Sequence, residues 1–136
     1  MSKYKNKKIE IDGLVFDSQA EARYYTYLSD LMQKGVVTAI IPQPRYLLQE
    51  SFRKNGILFR KIEYVADFAV QYEDGRSEVV DVKGMETTDF KIKRKLFEKK
   101  YPELSLKVVK HVKKFGGWVT IEEYKKFKKE EKKVAK

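Results

Sequence analysis

Residues 64–84 read YVADFAVQYEDGRSEVVDVKG, and the pairing register of this stretch decides the fold. Its first part sets Tyr64, Ala66, Phe68 and Val70 against Val65, Asp67, Ala69 and Gln71. That is the period-two pattern of a strand. Its second part sets Val80 and Val82 against Val79, Asp81 and Lys83. Glu73-Asp74-Gly75 between them suits a three-residue hairpin loop closed by a left-handed glycine. With that loop Tyr72 pairs with Arg76, and Asp67 falls opposite Asp81, with Cβ atoms about 5 Å apart. Lys83 then lies two residues along on the same face, opposite Val65. A two-residue Asp74-Gly75 turn would place Asp67 opposite Val82 and send the two carboxylates to opposite faces. The three-residue loop also aligns Phe68 with Val80 and Ala66 with Val82, giving one apolar face for a helix to cover, and is preferred.

Side-by-side carboxylates repel unless a cation lies between them. Two aspartates suit Mg²⁺, a hard ion that takes oxygen ligands and keeps several waters. A lysine on the same patch can hold an attacking water or stabilise a phosphate oxygen as charge builds there. The plain structural alternative is a solvated sheet face carrying a cross-strand Asp–Lys pair.

The order Asp67, then Asp81-Val82-Lys83, resembles the PD-(D/E)XK nuclease superfamily, with Ala66 where the name-giving motif has proline. The wider pattern SxxEAxxY (from Ser18), Gln43-Pro44, YxADF (from Tyr64) and DVKG (from Asp81), followed by a basic helix, is similar to an uncharacterised phage and prophage family of that superfamily. Relatives include Holliday-junction resolvases. The resemblance covers roughly residues 10 to 110. It implies a restriction-endonuclease-like αβββαβ core and Mg²⁺-dependent hydrolysis of DNA phosphodiester bonds, with Mn²⁺ as a possible substitute. It further implies 5′-phosphate and 3′-hydroxyl products. Asp67, Asp81 and the Val82 carbonyl would ligate the metal. Glu21 would do so directly or through water, and Lys83 would orient and activate the attacking water.

Composition is consistent with such a partner. The chain has 136 residues, enough for one domain with a core. Net charge is +10, and all of the excess lies in residues 83–136, with 18 Lys/Arg against 8 Asp/Glu. A neutral half and a basic half point to a polyanion, nucleic acid first. A solubilising tail is the plainer reading for the last twelve residues. There is no cysteine, which removes disulfides and thiolate zinc sites. No apolar run reaches membrane-spanning length, and no signal-peptide pattern follows the basic start. The expected location is cytoplasmic, the host cytoplasm if phage-encoded.

Along the chain, residues 1–9 read as a basic arm, and 9–16 as short strand structure turning at Asp12-Gly13. A helix over 17–34 is capped by Asp17 or Ser18 and stopped by Gly35. Ala20, Tyr24, Tyr27, Leu28 and Leu31 should face the sheet. Ser18-x-x-Glu21 also reads as a capping box, a structural role for Glu21 that competes with a metal-site role. Residues 36–41 form a strand ended by Pro42-Gln43-Pro44, and Gln43 is either a residue flanking the site or a loop residue. Asn55-Gly56 tips a polar turn, around which Leu47 and Leu48 should pair with Leu58 and Phe59. A long strand over 57–72 should follow. Thr87 or Thr88 caps a helix over 89–100 with Phe90, Leu96 and Phe97 inward and Ile92 beside them. Lys91, Lys93, Arg94 and Lys95 lie outside that stripe as DNA-contact candidates, a solvated charged face being the alternative. Residues 104–110 complete the sheet. His111 is a surface or packing residue before it is a general base. Gly116-Gly117 reads as a break, and Thr120-x-x-Glu123 opens a basic helix over about 120–134 that Trp118 and Tyr124 dock.

The expectation is thus a single α/β domain over 1–136, core about 10–112, with a mixed sheet of about five strands flanked by helices. Lysine contacts would grip phosphates without reading bases, which suits branched DNA better than a long sequence. A homodimer would cut two strands. The rival from another class is a non-catalytic DNA-binding accessory protein with the same fold. RNA is a third partner, which exposed stacking aromatics would favour, but the Tyr and Phe residues here mostly fall on expected core faces.

Overall fold

In the computed structural model, which describes residues 8–83 and 85–134, the first strands β1 (Ile9–Ile11) and β2 (Leu14–Phe16) form a small hairpin. Its turn is Asp12-Gly13, both at positive φ, 53° and 79°. The expected basic arm up to residue 7 lies outside the described residues, as does Gly84 of the DVKG motif. Helix α1 (Gln19–Gln33) starts at Ser18, whose hydroxyl accepts from the Glu21 N–H at 3.1 Å. Gly35 at φ +79° ends it. The face it buries differs from the expected stripe. Ala22, Tyr24 and Leu28 are buried, whereas Ala20 and Tyr27 are exposed.

Strand β3 (Val37–Pro42) enters the main sheet. The chain then leaves the sheet as a ribbon of four short strands: β4 (Arg45–Gln49), β5 (Phe52–Lys54), β6 (Ile57–Phe59) and β7 (Ile62–Val65). It returns as β8 (Phe68–Tyr72) and β9 (Ser77–Val82). Helix α2 (Thr88–Lys100) is capped by the Thr87 hydroxyl, 3.1 Å from the Phe90 N–H. Strand β10 (Leu106–Val112) lies parallel to β9, and after a 3-10 turn β11 (Gly117–Thr120) pairs antiparallel with it. Helix α3 (Ile121–Val134) closes the described chain. Its capping box forms as expected: Thr120 N–H donates to Glu123 Oε1 at 2.7 Å, and Glu123 N–H to Thr120 Oγ1 at 3.1 Å.

The result is an α/β domain built on a mixed five-stranded sheet in the order β11-β10-β9-β8-β3. The succession α1-β3-β8-β9-α2-β10 is the expected αβββαβ core. One face of the sheet packs Phe68, Val70, Val80, Val82 and Val109 against Tyr24 and Leu28 of α1. The other packs Val79, Leu106 and Val108 against Phe90 and Phe97 of α2, with Ile121 of α3.

Several further expectations are corrected. The long strand over 57–72 is broken at Ala66-Asp67, where the Ala66 N–H donates to Pro44 O and the Gln43 N–H donates to Asp67 O. The break reverses the side-chain alternation. Tyr64 and Ala66 join the α2 side, while Phe68 and Val70 join the α1 side, so Ala66 does not accompany Val82. Val65 pairs with Arg45 rather than Lys83, and Leu47 with Glu63 rather than with the turn beyond. Leu58 and Phe59 pair with Arg53 and Phe52. On α2, Leu96 and Ile92 are exposed, because the packed face runs through Phe90 and Phe97 alone. Gly116-Gly117 ends only the 3-10 turn, for Gly117 at φ +112° begins a strand. Trp118 on that strand packs edge-on against Tyr24 of α1, 4.9 Å between centroids, instead of docking the last helix.

A carboxylate and lysine cluster at the sheet end

The register of the central hairpin is the three-residue one. Phe68 pairs with Val80, Ala69 with Val79, and the Tyr72 N–H donates to Arg76 O across the loop. Gly75 sits at φ +91°, the left-handed conformation the loop requires. One step past the ladder's last pair, the Asp67 N–H donates to Val80 O at 3.1 Å. The Asp67 side chain then turns back, and its Oδ2 accepts from the Val82 N–H at 2.7 Å. Asp67 thereby stands beside Asp81.

Asp81 is 1% exposed, the one buried charged residue among those described. Its Oδ2 accepts from the hydroxyl of Tyr64. Its Oδ1 has the Lys83 ammonium at 3.0 Å, but off the line of a hydrogen bond, so this buried oxygen has none among the described residues. The Lys83 ammonium also lies 4.5 Å from the centroid of the Phe90 ring. Glu21 comes to the same place from the first turn of α1, with Oε1 3.4 Å from the Ser18 hydroxyl. Its carboxylate accepts from the cap's hydroxyl, whereas the capping box expected it to accept from the cap's backbone N–H. Glu21, Gln43 and Asp67 line a cleft of about 120 Å³ walled by Leu14, Val15 and Phe16. Gln43 adopts φ +50° in the turn between β3 and β4, and its N–H donates to Asp67 O, which brings it to this cleft.

These carboxyls disturb one another. Burial first, then the charge of Asp81, pushes Asp67 well above the usual carboxylate range, against the pull of the Val82 N–H. Burial and then the charge of Asp17 raise Glu21, with a smaller push from Asp81. Burial also holds the Tyr64 hydroxyl protonated, as its donor role needs. Desolvated carboxyls such as Asp67 and Glu21, whose ionisation is opposed, gain from a cation placed among them. As the side chains stand, no three acidic or histidine groups converge into a metal site among the described residues. Each carboxylate instead has a protein partner: Val82 N–H, Tyr64 hydroxyl or Ser18 hydroxyl. The donor chemistry fits a hard divalent ion on Asp67 and Asp81, with Glu21 adjacent and the Asp81 Oδ1 atom lacking a hydrogen bond.

Tyr64 was not legible as a site residue, since its alternation grouped it with Phe68. Its ring lies 5.4 Å from Phe97 and 6.1 Å from Phe90, so Tyr64→Phe should keep the packing and lose only the hydroxyl. The expected cost is about 2 kcal/mol, the range for a buried acceptor left short of its donor. Denaturant unfolding reads it directly; an unchanged midpoint would mean the hydroxyl does not support Asp81.

The basic face of α2 is divided. Lys91 and Lys95 are exposed. Lys93 lies 3.8 Å from Asp89. Arg94 bridges Glu98 at 3.5 Å and Glu122 of α3 at 3.1 Å, so it ties the two helices together. His111 packs edge-on against Trp118, 5.0 Å between centroids, in keeping with a packing role. Among the described residues no helix is long and apolar enough to cross a membrane.

Fold and cluster together define an α/β domain with a carboxylate and lysine group at one end of a hairpin. The chain belongs to the family described as "Protein of unknown function (DUF1064)", whose model matches residues 1–117 and so ends before α3. No curated protein and no solved structure matches it.

Proposed function

We propose that this protein is a metal-dependent deoxyribonuclease that hydrolyses phosphodiester bonds, with branched DNA as its substrate. The observation that carries the reading is the Asp67 carboxylate, in the bend just before β8, held at 2.7 Å by the Val82 N–H next to Asp81 of β9, with the Lys83 ammonium 3.0 Å from Asp81. Asp67, Asp81 and the Val82 carbonyl would hold Mg²⁺ or Mn²⁺, with Glu21 reaching it directly or through water. The ion when bound supplies Lewis acidity at the phosphate and an acidified water.

This chain's own residues supply the rest. Lys83 positions the attacking water and offsets charge on the phosphate oxygens as the new P–O bond forms. The bond to the leaving 3′ oxygen breaks, and that oxygen takes up a proton. Tyr64 fixes one oxygen of Asp81, so the other faces Lys83. Lys91 and Lys95, exposed on α2, would meet phosphates, and the net charge of +10 would favour the encounter.

One observation favours a second reading, that of a DNA-binding accessory protein. Every site carboxylate already has a protein donor, as it would in a fold that had dropped the chemistry. The two readings part in a cleavage assay on labelled four-way junction, flap and linear duplex DNA with Mg²⁺, Mn²⁺ or EDTA. Metal-dependent cutting of branched DNA supports the proposal. Equal cutting of every substrate keeps the nuclease and removes the branch preference. Binding without cutting in any metal selects the accessory protein.

A further inference from the structure

Residues 51–60 are all exposed, although six of them lie in the paired strands β5 and β6. Asn55 and Gly56, at φ 53° and 76°, make the two-residue turn at the tip. This far half of the ribbon is rich in apolar side chains. Phe52, Ile57, Leu58 and Phe59 are 45%, 57%, 47% and 42% exposed. The Phe52 and Phe59 rings stack on each other, 5.0 Å apart at 13°. Every charged side chain in residues 51–60 is a cation: Arg53, Lys54 and Arg60. None of the three has an ion-pair partner among the described residues, whereas Lys61 and Arg45 nearer the base both pair with Glu63. The pairing puts Phe52, Phe59, Lys54 and Ile57 on one face of the arm and Arg53 with Leu58 on the other.

Apolar side chains held in water on an ordered hairpin call for a partner. Charge chooses between partners. Two copies of this arm meeting each other would bring like charges together, while a polyanion satisfies all three cations at once. Shape agrees, because the DNA major groove, about 12 Å wide, admits a two-stranded β-ribbon. The base of the ribbon touches the candidate site: the Gln43 N–H donates to Asp67 O, and Ala66 and Pro44 bond just beyond the Arg45–Val65 pair. From Val65 to the tip at Asn55 the contour is at most about 33 Å. That is close to one turn of duplex, roughly 34 Å.

We propose that residues 51–60 form a DNA-binding arm that enters the groove of the duplex flanking the bound position. Arg53, Lys54 and Arg60 grip phosphates, and the Phe52–Phe59 pair with Ile57 and Leu58 packs on base edges and sugars. The inference rests on DNA as the partner in the proposed function, but not on cleavage.

The test is binding of the full chain, in EDTA, to a fluorescent duplex of about three turns, across a salt titration. The variants are Arg53→Ala/Lys54→Ala/Arg60→Ala and, separately, Phe52→Ser/Phe59→Ser. The cation variant should bind about 30-fold more weakly at physiological salt and lose about 3 from the log–log salt slope. The aromatic variant should bind about tenfold more weakly with its slope unchanged. Both should keep the unaltered circular dichroism spectrum, since the arm supports no core residue. Equal affinity and slope in the cation variant would overturn the arm while leaving the nuclease reading intact. A fall in mass by sedimentation at an unchanged slope would also overturn it, making the arm an interface between copies. Failure of the unaltered chain to bind this duplex would overturn the arm, and failure to bind or cut a labelled four-way junction with Mg²⁺ as well would remove the proposed function itself.

Discussion

Asp67→Asn is expected to lose metal-dependent cleavage by about a thousandfold and, in the same protein, to gain stability at neutral pH. The loss corresponds to about 4 kcal/mol of barrier, as expected when a ligand to the activating ion is removed. The gain follows from burial. The folded protein raises the Asp67 carboxyl from 3.8 towards about 8, with burial the first cause and the charge of Asp81 the second. A group raised in this way binds its proton more tightly folded than unfolded. Its contribution is fully present below the unfolded value, declines as pH rises, and is gone above the folded value near 8. Asparagine does not titrate, and its side-chain carbonyl can still accept from the Val82 N–H. In metal-free buffer the variant should therefore match wild type near pH 4 and exceed it by about 1–3 kcal/mol at pH 8. Mg²⁺ should stabilise wild type at pH 8 and leave the variant unmoved. Urea unfolding at both pH values, with Mg²⁺ and with EDTA, is the measurement. A variant that is less stable at pH 8, or that still cuts DNA, would show that Asp67 is an ordinary structural carboxylate.

The parts of this site written locally in the chain were legible, and the parts set by distant contacts were not. The hairpin register that brings Asp67 near Asp81 follows from a loop whose glycine needs a left-handed conformation and from the alternation of the strands on either side of it. The Ser18 cap and the Thr120–Glu123 box are equally local, each closing within three residues. The strand break at Ala66-Asp67 is different. It depends on backbone bonds to Gln43 and Pro44, more than twenty residues away, and nothing in the pattern of residues 57–72 marks it. Because the break reverses the alternation, it carries Tyr64 across to Asp81, and the hydroxyl became visible only in the fold. Arg94 behaves likewise, for its partner Glu122 comes from a helix 28 positions on. Trp118 was misplaced because a glycine pair normally interrupts structure, whereas here the second glycine opens an edge strand that turns the indole towards α1.

Lys83→Arg is expected to cut cleavage by about 10²–10³-fold while changing stability little. Lys83→Met should lose as much rate and, in addition, about 2 kcal/mol of stability. The pair separates two roles that one residue fills. As a structural partner, Lys83 sets a cation 3.0 Å from the buried Asp81 Oδ1 and over the Phe90 ring. Arginine keeps the charge and stacks well on an aromatic face, so it can fill that role. As a participant in hydrolysis, Lys83 needs a compact ammonium that fits beside a water and a phosphate oxygen. A planar guanidinium is larger, hydrogen-bonds in a fixed fork and stays protonated throughout the working range. Methionine retains the length of the stem and removes the charge, leaving Asp81 to the Tyr64 hydroxyl alone. Single-turnover cleavage, DNA affinity in EDTA and thermal midpoint together decide the matter. If both variants cut at the wild-type rate, Lys83 is only the partner of Asp81. If arginine alone restores the rate, the positive charge suffices and no proton moves through this side chain. Loss of rate in both, with stability kept in the arginine variant, assigns Lys83 to the reaction itself.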